Sequence, residues 1–243
     1  AALPSRWLAV RVNDPRLVQV ALNLHQPMAC SWEDGVALAL EHKLFISPSV
    51  GGWVLVVGAD LPDPSDDVDK CFLLLTHLSR KVGVVQFFSA NRVLNHHAWA
   101  YAERGSIVRA YAWAGRTVWN QGRPTQAETD LGLTCFDYAV TVERIRFTQP
   151  DPITRNTERV AQLAARWSLD PAAMDFRRLR EMPGIVGELT RSPEWESWRA
   201  GTFPNRTQPT GEVLDRLPSH PRAMPELRNP TVHRALNELR KVA

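Results

Sequence analysis

Cysteine is scarce: the 243 residues hold three, Cys30, Cys71 and Cys135. They are far apart and form no CxxC pair, so neither a zinc knuckle nor a disulfide framework is readable. Reduced thiols and a cytoplasmic location are the expectation. No window approaches 18 consecutive apolar residues, so no transmembrane helix is expected and no membrane partner. Phosphate-cradling and catalytic signatures are also missing. There is no GxGxxG after a strand, no P-loop, no GxSxG, no HExxH and no EF-hand loop. The usual nucleotide folds and common zinc hydrolases are thereby disfavoured, and no metal or cofactor is implied. Catalytic groups far apart in sequence stay open, because triads assemble in space.

Charge of one sign is missing as well. The formal net charge is only +3. Residues 1–150 carry 14 basic and 14 acidic side chains, and 151–243 carry 15 and 12. The excess lies wholly in the C-terminal part and is too small to argue for nucleic acid. Lysine occurs four times, so 25 of the 29 basic residues are arginine. A coding bias explains this. Bidentate recognition of carboxylate or phosphate is its functional counterpart.

What is present reads as an α+β domain, residues 1–192. A mainly antiparallel sheet of about six to eight strands is covered by helices. A Pro/Arg-rich extended C-terminal arm, 193–243, ends in a short helix. Trp7–Val12 reads as a strand. A helix follows Pro15 as far as about Leu24 and is ended by Pro27. Ser31 caps a second helix over Trp32–His42, with Val36, Ala37 and Leu40 inward. Leu44–Val50 and Trp53–Gly58 flank Gly51-Gly52 as a hairpin. Ser65 caps a long helix with Asp66, Asp67 and Asp69 in its first turn, Arg80 and Lys81 in its last, and Gly83 beyond. Its stripe is Val68, Phe72, Leu75 and Leu78, with Cys71 as a core thiol. Val84–Ser89 is a further strand.

His96–Trp119 carries the strongest local pattern. A two-residue loop at Arg104-Gly105 sets Glu103 opposite Ser106. Extended without interruption, that register sets Trp99 against Ala110, Tyr101 against Val108 and His97 against Ala112. On the other face it sets Ala98 against Tyr111, Ala100 against Arg109 and His96 against Trp113, large over small throughout. Thr117–Trp119 adds a strand, Thr125 and Glu128 form a capping box, and Ala139–Phe147 alternates as another strand. Asn156 caps a helix whose inward face is Val160, Leu163, Ala164 and Trp167. A short helical piece is expected around Pro171–Glu181.

Candidate chemistry is thin. His96 and His97 are adjacent on a strand and point to opposite faces, so they cannot share a metal. Asp63, Asp66, Asp67 and Asp69 are explained by a helix start better than by a cation. Glu128 reads as a cap and surface charge, and Arg177, Arg178 and Arg180 as a solvated helix face. A hydrolase acting on a polar or phosphorylated small molecule would draw on His97, Glu103, Arg109 and Trp113 near the hairpin. Yet His97 and Glu103 lie about 20 Å apart along one strand, too far for an acid–base pair. For binding, Trp195, Trp198 and Phe203 at the root of the arm, together with Trp113, are the candidate anchors.

The runs GWVLVVGADLP (52–62), HAWAYAERGSIVRAYAWAG (97–115) and VAQLAARWSLDP (160–171) resemble segments of uncharacterised bacterial soluble α+β proteins of this size. That resemblance covers roughly 44–171 and implies no activity and no catalytic residue. The reading that results is a non-enzymatic protein-binding module, of the toxin-immunity or assembly-factor kind. It acts by surface complementarity on another protein or on its own copies, with the hydrolase as the alternative.

Overall fold

The computed structural model describes residues 5–140, 151–169, 179 and 182–189. Among them nine strands form one sheet in which every neighbouring pair is antiparallel. The fold is α+β, as the pattern of short strands and amphipathic helices implies. In chain order the elements are β1 (Arg6–Val10), α1 (Pro15–Leu22), β2 (Leu24–Cys30), α2 (Trp32–Ala39), β3 (Leu44–Ile46) and β4 (Val54–Val57). There follow α3 (Val68–Val82), β5 (Val84–Asn91), β6 (His96–Glu103), β7 (Ser106–Trp113), β8 (Thr117–Gln121), α4 (Gln126–Asp130), α5 (Pro152–Trp167) and β9 (Gly184–Leu189). Across the sheet the strands run β2-β9-β3-β4-β1-β5-β6-β7-β8.

Two of these strands depart from the sequence reading. β2 runs through Pro27, a residue that by sequence ends a helix. Proline is tolerated there because β2 is an edge strand, pairs only with β9 and is bulged between His25 and Met28. No sequence pattern marks β9. Two glycines interrupt GIVGEL, and its partners, β2 and β3, are remote in sequence. The strand anticipated over 139–147 lies almost wholly outside the described residues, as does nearly all of the piece expected over 171–181. The arm from 193 onward lies entirely outside them.

The local rules mostly hold. Asp14 caps α1 and Asn23 ends it in the left-handed region. Gly51 and Gly52, with φ of 58° and 82°, make the tight turn between β3 and β4. β4 is buried on both faces, as a central strand should be. α3 begins at Asp67, whose carboxylate accepts from the Lys70 amide at 3.0 Å. Ser65 does not cap it, because that hydroxyl donates to Asp63 instead. α5 is capped by Asp151, five residues before the expected Asn156. α2 buries Trp32, Gly35 and Ala39, and leaves Leu40 exposed. The inward face anticipated for it is therefore rotated, because Trp32 and not Leu40 packs edge-on against Phe45.

The sheet divides the core in two. On one side α1 and α3 cover Leu8, Val10, Leu44, Ile46, Val85, Phe87 and a ladder of alanines from β6 and β7. On the other, α2 and α5 cover the rings of Trp7, Phe45, Phe88, Trp99, Tyr111 and Trp113. Burying each of the Leu, Ile, Val and Phe side chains stabilises the fold by about 1.5–3 kcal/mol. The Phe45 ring lies in a slot between Gly35 and Gly184, where a Cβ on either glycine would fall 2.2 Å from a ring carbon. Gly35→Ala should therefore lower stability by about 1–3 kcal/mol, despite the better helix propensity of alanine. Urea unfolding of the variant measures it.

Candidate functional site

The hairpin pairs at Arg104-Gly105 as anticipated, with Glu103 opposite Ser106 and Ala102 opposite Ile107. Beyond that the expected register fails. Val108 is an extra residue bulged out of β7, so Tyr101 pairs with Arg109, Trp99 with Tyr111 and His97 with Trp113. A bulge re-aims every side chain beyond it. Large residues now oppose large ones on one face, and Ala98 and Ala100 oppose Ala112 and Ala110 on the other. The small face admits α3. The large face gathers Trp99, Tyr111, Trp113, His97 and Arg109 into one layer.

In that layer Arg109 and Glu128 form a buried ion pair, each side chain 1% exposed. Arg109 Nε lies 2.9 and 3.1 Å from the two Glu128 oxygens, and Nη2 lies 2.9 Å from Oε1. Nη1 donates to the carbonyls of Ala110 and Gln121 and to Asn120 Oδ1. Nη2 also donates to Cys135 Sγ. Trp99 Nε1 donates to Glu128 Oε1 at 2.7 Å, and the Thr125 amide donates to Oε2 at 2.6 Å. The capping box expected at Thr125 and Glu128 is present. However, Glu128 is not a surface charge, because α4 folds over the rings and lowers its carboxylate onto Arg109. The residues that sequence reasoning missed here are Asn120 and Cys135. Only the bulge brings them within reach, and no spacing rule signals it.

A second cluster lies on the same face. His97 Nδ1 is 2.9 Å from Thr157 Oγ1, and His97 Nε2 is 3.3 Å from Asn156 Nδ2. Thr157 donates its proton to the Ile153 carbonyl. The hydroxyl oxygen must therefore accept from Nδ1–H, which leaves Nε2 to accept from Asn156. The imidazole is neutral in this network. Burial first, and the neighbouring His96 second, hold its pKa down at about 3. Asn156, expected as a cap, lies inside α5 and clamps both backbone groups of Thr134.

His97 and Arg109 share a face but belong to separate hydrogen-bond clusters. Glu103 sits at the opposite end of β6 from His97, so the two do not meet. Trp113, a candidate anchor by sequence, is buried against Phe136 and cannot meet a partner. Trp195, Trp198 and Phe203 lie outside the described residues. Asp63 is tied to Ser89, Ser65 and Arg6. Burial raises its pKa, but the hydroxyl and amide bonds and Arg6 outweigh that and hold it below its ordinary value. Among the described residues no three His, Cys, Asp or Glu side chains gather as metal ligands. No helix among them is long and apolar enough to cross a membrane.

All three thiols are free. Burial raises the pKa of Cys71 well above the ordinary thiol value and that of Cys135 to about 12, while Cys30 is only partly buried. An alkylating reagent on the native protein should label Cys30 first, with Cys71 and Cys135 reacting only on unfolding. Mass spectrometry of the labelled protein reads the order.

One end of the sheet gathers loops. β1 starts there, β4 ends there, and the β5–β6 and β7–β8 turns close there. α3 follows β4 from that end, and α5 starts beside it, where Asn95 bonds Thr154. An open recess of about 500 Å³ lies at this end, lined by Pro64, Ser65, Asp66, Val68, Arg116, Thr117, Val118 and Tyr138. Comparison with protein-family models, with curated proteins and with solved structures finds no match. The reading of function therefore rests on this geometry.

Proposed function

We propose that the chain is a non-enzymatic protein-binding module, of the toxin-neutralising or assembly-factor kind, acting through surface complementarity. The observation that carries the reading is the fate of its reactive side chains. In the layer under the hairpin, His97, Arg109, Glu128 and Cys135 are the groups with chemistry to offer. Each is held in place by neighbouring side chains or backbone, and none opens on the described recess. A general base must reach a substrate proton, and a neutral imidazole enclosed by Thr157 and Asn156 does not. A binding module needs only a rigid frame and exposed anchors, and the frame is what these clusters supply.

The test is affinity capture with the tagged full chain in the cells that make it. A stoichiometric protein partner is the expected result. A chain that purifies alone and turns over phosphorylated or polar substrates would overturn the reading. The hydrolase alternative has one point in its favour, the recess, where Arg116 and Asp66 stand beside Tyr138. Loss of that turnover in Arg116→Ala would then place the chemistry.

A further inference from the structure

The recess at the loop-bearing end of the sheet is built from two stretches of chain and Tyr138. The β4–α3 connection supplies Ser65 and Asp66, with Val68 opening α3, and the β7–β8 turn supplies Arg116, with Thr117 opening β8. Asp66 and Arg116 are both exposed and of opposite charge. Yet neither forms an ion pair with the other or with any other described residue. Opposite charges that share a recess without meeting leave a place for a ligand that carries both.

The hydroxyls beside them narrow its chemistry. Ser65 Oγ donates to Asp63 Oδ1 at 2.7 Å, Thr117 Oγ1 to the Phe136 carbonyl at 2.8 Å, and Tyr138 Oη to the Asn120 carbonyl at 3.1 Å. A hydroxyl has one proton to give, so these three offer a ligand lone pairs alone. Together with the Asp66 carboxylate they call for N–H donors. Among the lining side chains only Arg116 keeps unspent donors, and a guanidinium pairs best with a carboxylate. A phosphate or a sugar would need several donors where the lining side chains give one guanidinium. Tyr138 is 59% exposed, but its hydroxyl also accepts from the Asn120 amide at 2.7 Å. Held at both backbone groups of Asn120, the ring is a fixed wall, which lowers the ordering cost of binding against it.

We infer that the recess binds a small zwitterion of dipeptide size, its ammonium at Asp66, its carboxylate at Arg116 and its aliphatic body against Val68 and the Tyr138 ring. The volume of about 500 Å³ is that of a small-molecule pocket and exceeds what a single amino acid fills. Charges at the two ends of a dipeptide also suit two side chains that do not touch. The inference goes beyond the protein-binding reading and does not rest on it.

The experiment follows the backbone amide NMR shifts of the isotope-labelled full chain during titration with alanyl-valine, its N-acetyl form, its C-terminal amide and inorganic phosphate. Alanyl-valine should give saturable shifts centred on 65–68 and 116–118. The N-acetyl form lacks the ammonium and the amide form lacks the carboxylate, so each should bind about fivefold more weakly or worse. Asp66→Asn should weaken alanyl-valine and leave the N-acetyl form unchanged. Arg116→Gln should weaken alanyl-valine and leave the amide form unchanged. Both side chains are exposed and unpaired, so both variants should keep the wild-type urea midpoint. No saturable shift at the recess with alanyl-valine overturns the site. Equal binding of the three dipeptides overturns the charge assignment, and tighter binding of phosphate than of alanyl-valine overturns the zwitterion in favour of an anion.

Discussion

Replacing Glu128 by alanine is expected to lower the unfolding free energy by about 3–5 kcal/mol, the range for breaking one side of a buried ion pair. The cost is not the lost attraction alone. Arg109 would be left buried with its charge uncompensated, and Trp99 Nε1 and the Thr125 amide would both lose their acceptor. Glu128→Gln should cost less, because it keeps an acceptor for Trp99 while removing the charge. The Arg109→Met, Glu128→Leu double variant should recover part of the loss. The carbonyls of Ala110 and Gln121 would then still lack their donor, so recovery is incomplete. Urea unfolding of wild type, Arg109→Met, Glu128→Leu and the double variant gives the coupling energy directly. If Glu128→Ala falls within about 0.5 kcal/mol of wild type, as a surface substitution does, the ion pair has no part in holding α4 and β8 to the sheet.

This pair also shows where sequence reasoning stops. Helix caps, tight turns and the alternation of single strands are set by neighbours within about five residues. Accordingly Pro15, Ser31, Gly51-Gly52, the Thr125 box and the turn at Arg104-Gly105 could all be read. The Val108 bulge could not, because its energy comes from groups far away in sequence. Arg109 finds Glu128 and Cys135 only if β7 slips by one residue after the turn, and only then do the alanines face α3. A register built from cross-strand size matching saw two strands and not the helices above and below them. β2 and β9 were missed for the same reason. A proline at an edge, and glycines packed under Phe45 and against Leu24, look like breaks until the partner strand and the ring are in place. The cluster at His97 needed α5, 60 residues away in sequence, to turn a histidine that looked like the polar end of a strand into a buried neutral one.

Lowering the pH should expose that histidine. Folded His97 titrates at about 3, whereas an unfolded histidine titrates near 6.5. Between those values the unfolded chain binds a proton that the folded chain does not. Stability therefore falls as pH drops from about 6.5 toward 3, with a slope from this group approaching 1.4 kcal/mol per pH unit, a rough ceiling. Protonation would also set Nε2–H against the Asn156 amide donor, so the loss should begin where α5 meets β6. His97→Gln keeps a donor and an acceptor in place and cannot take up the charge. Its urea midpoint should be nearly flat between pH 6.5 and 4, where the wild-type midpoint declines. Asp63 acts lower down. Its carboxyl is held below the ordinary carboxylate value when folded, so its contribution is present above about pH 4 and is lost as pH falls through its folded value. Asp63→Asn should leave the pH 6.5 to 4 slope unchanged and alter only the acid limb. If His97→Gln and wild type run parallel across the upper window, the imidazole is not the group that α5 depends on.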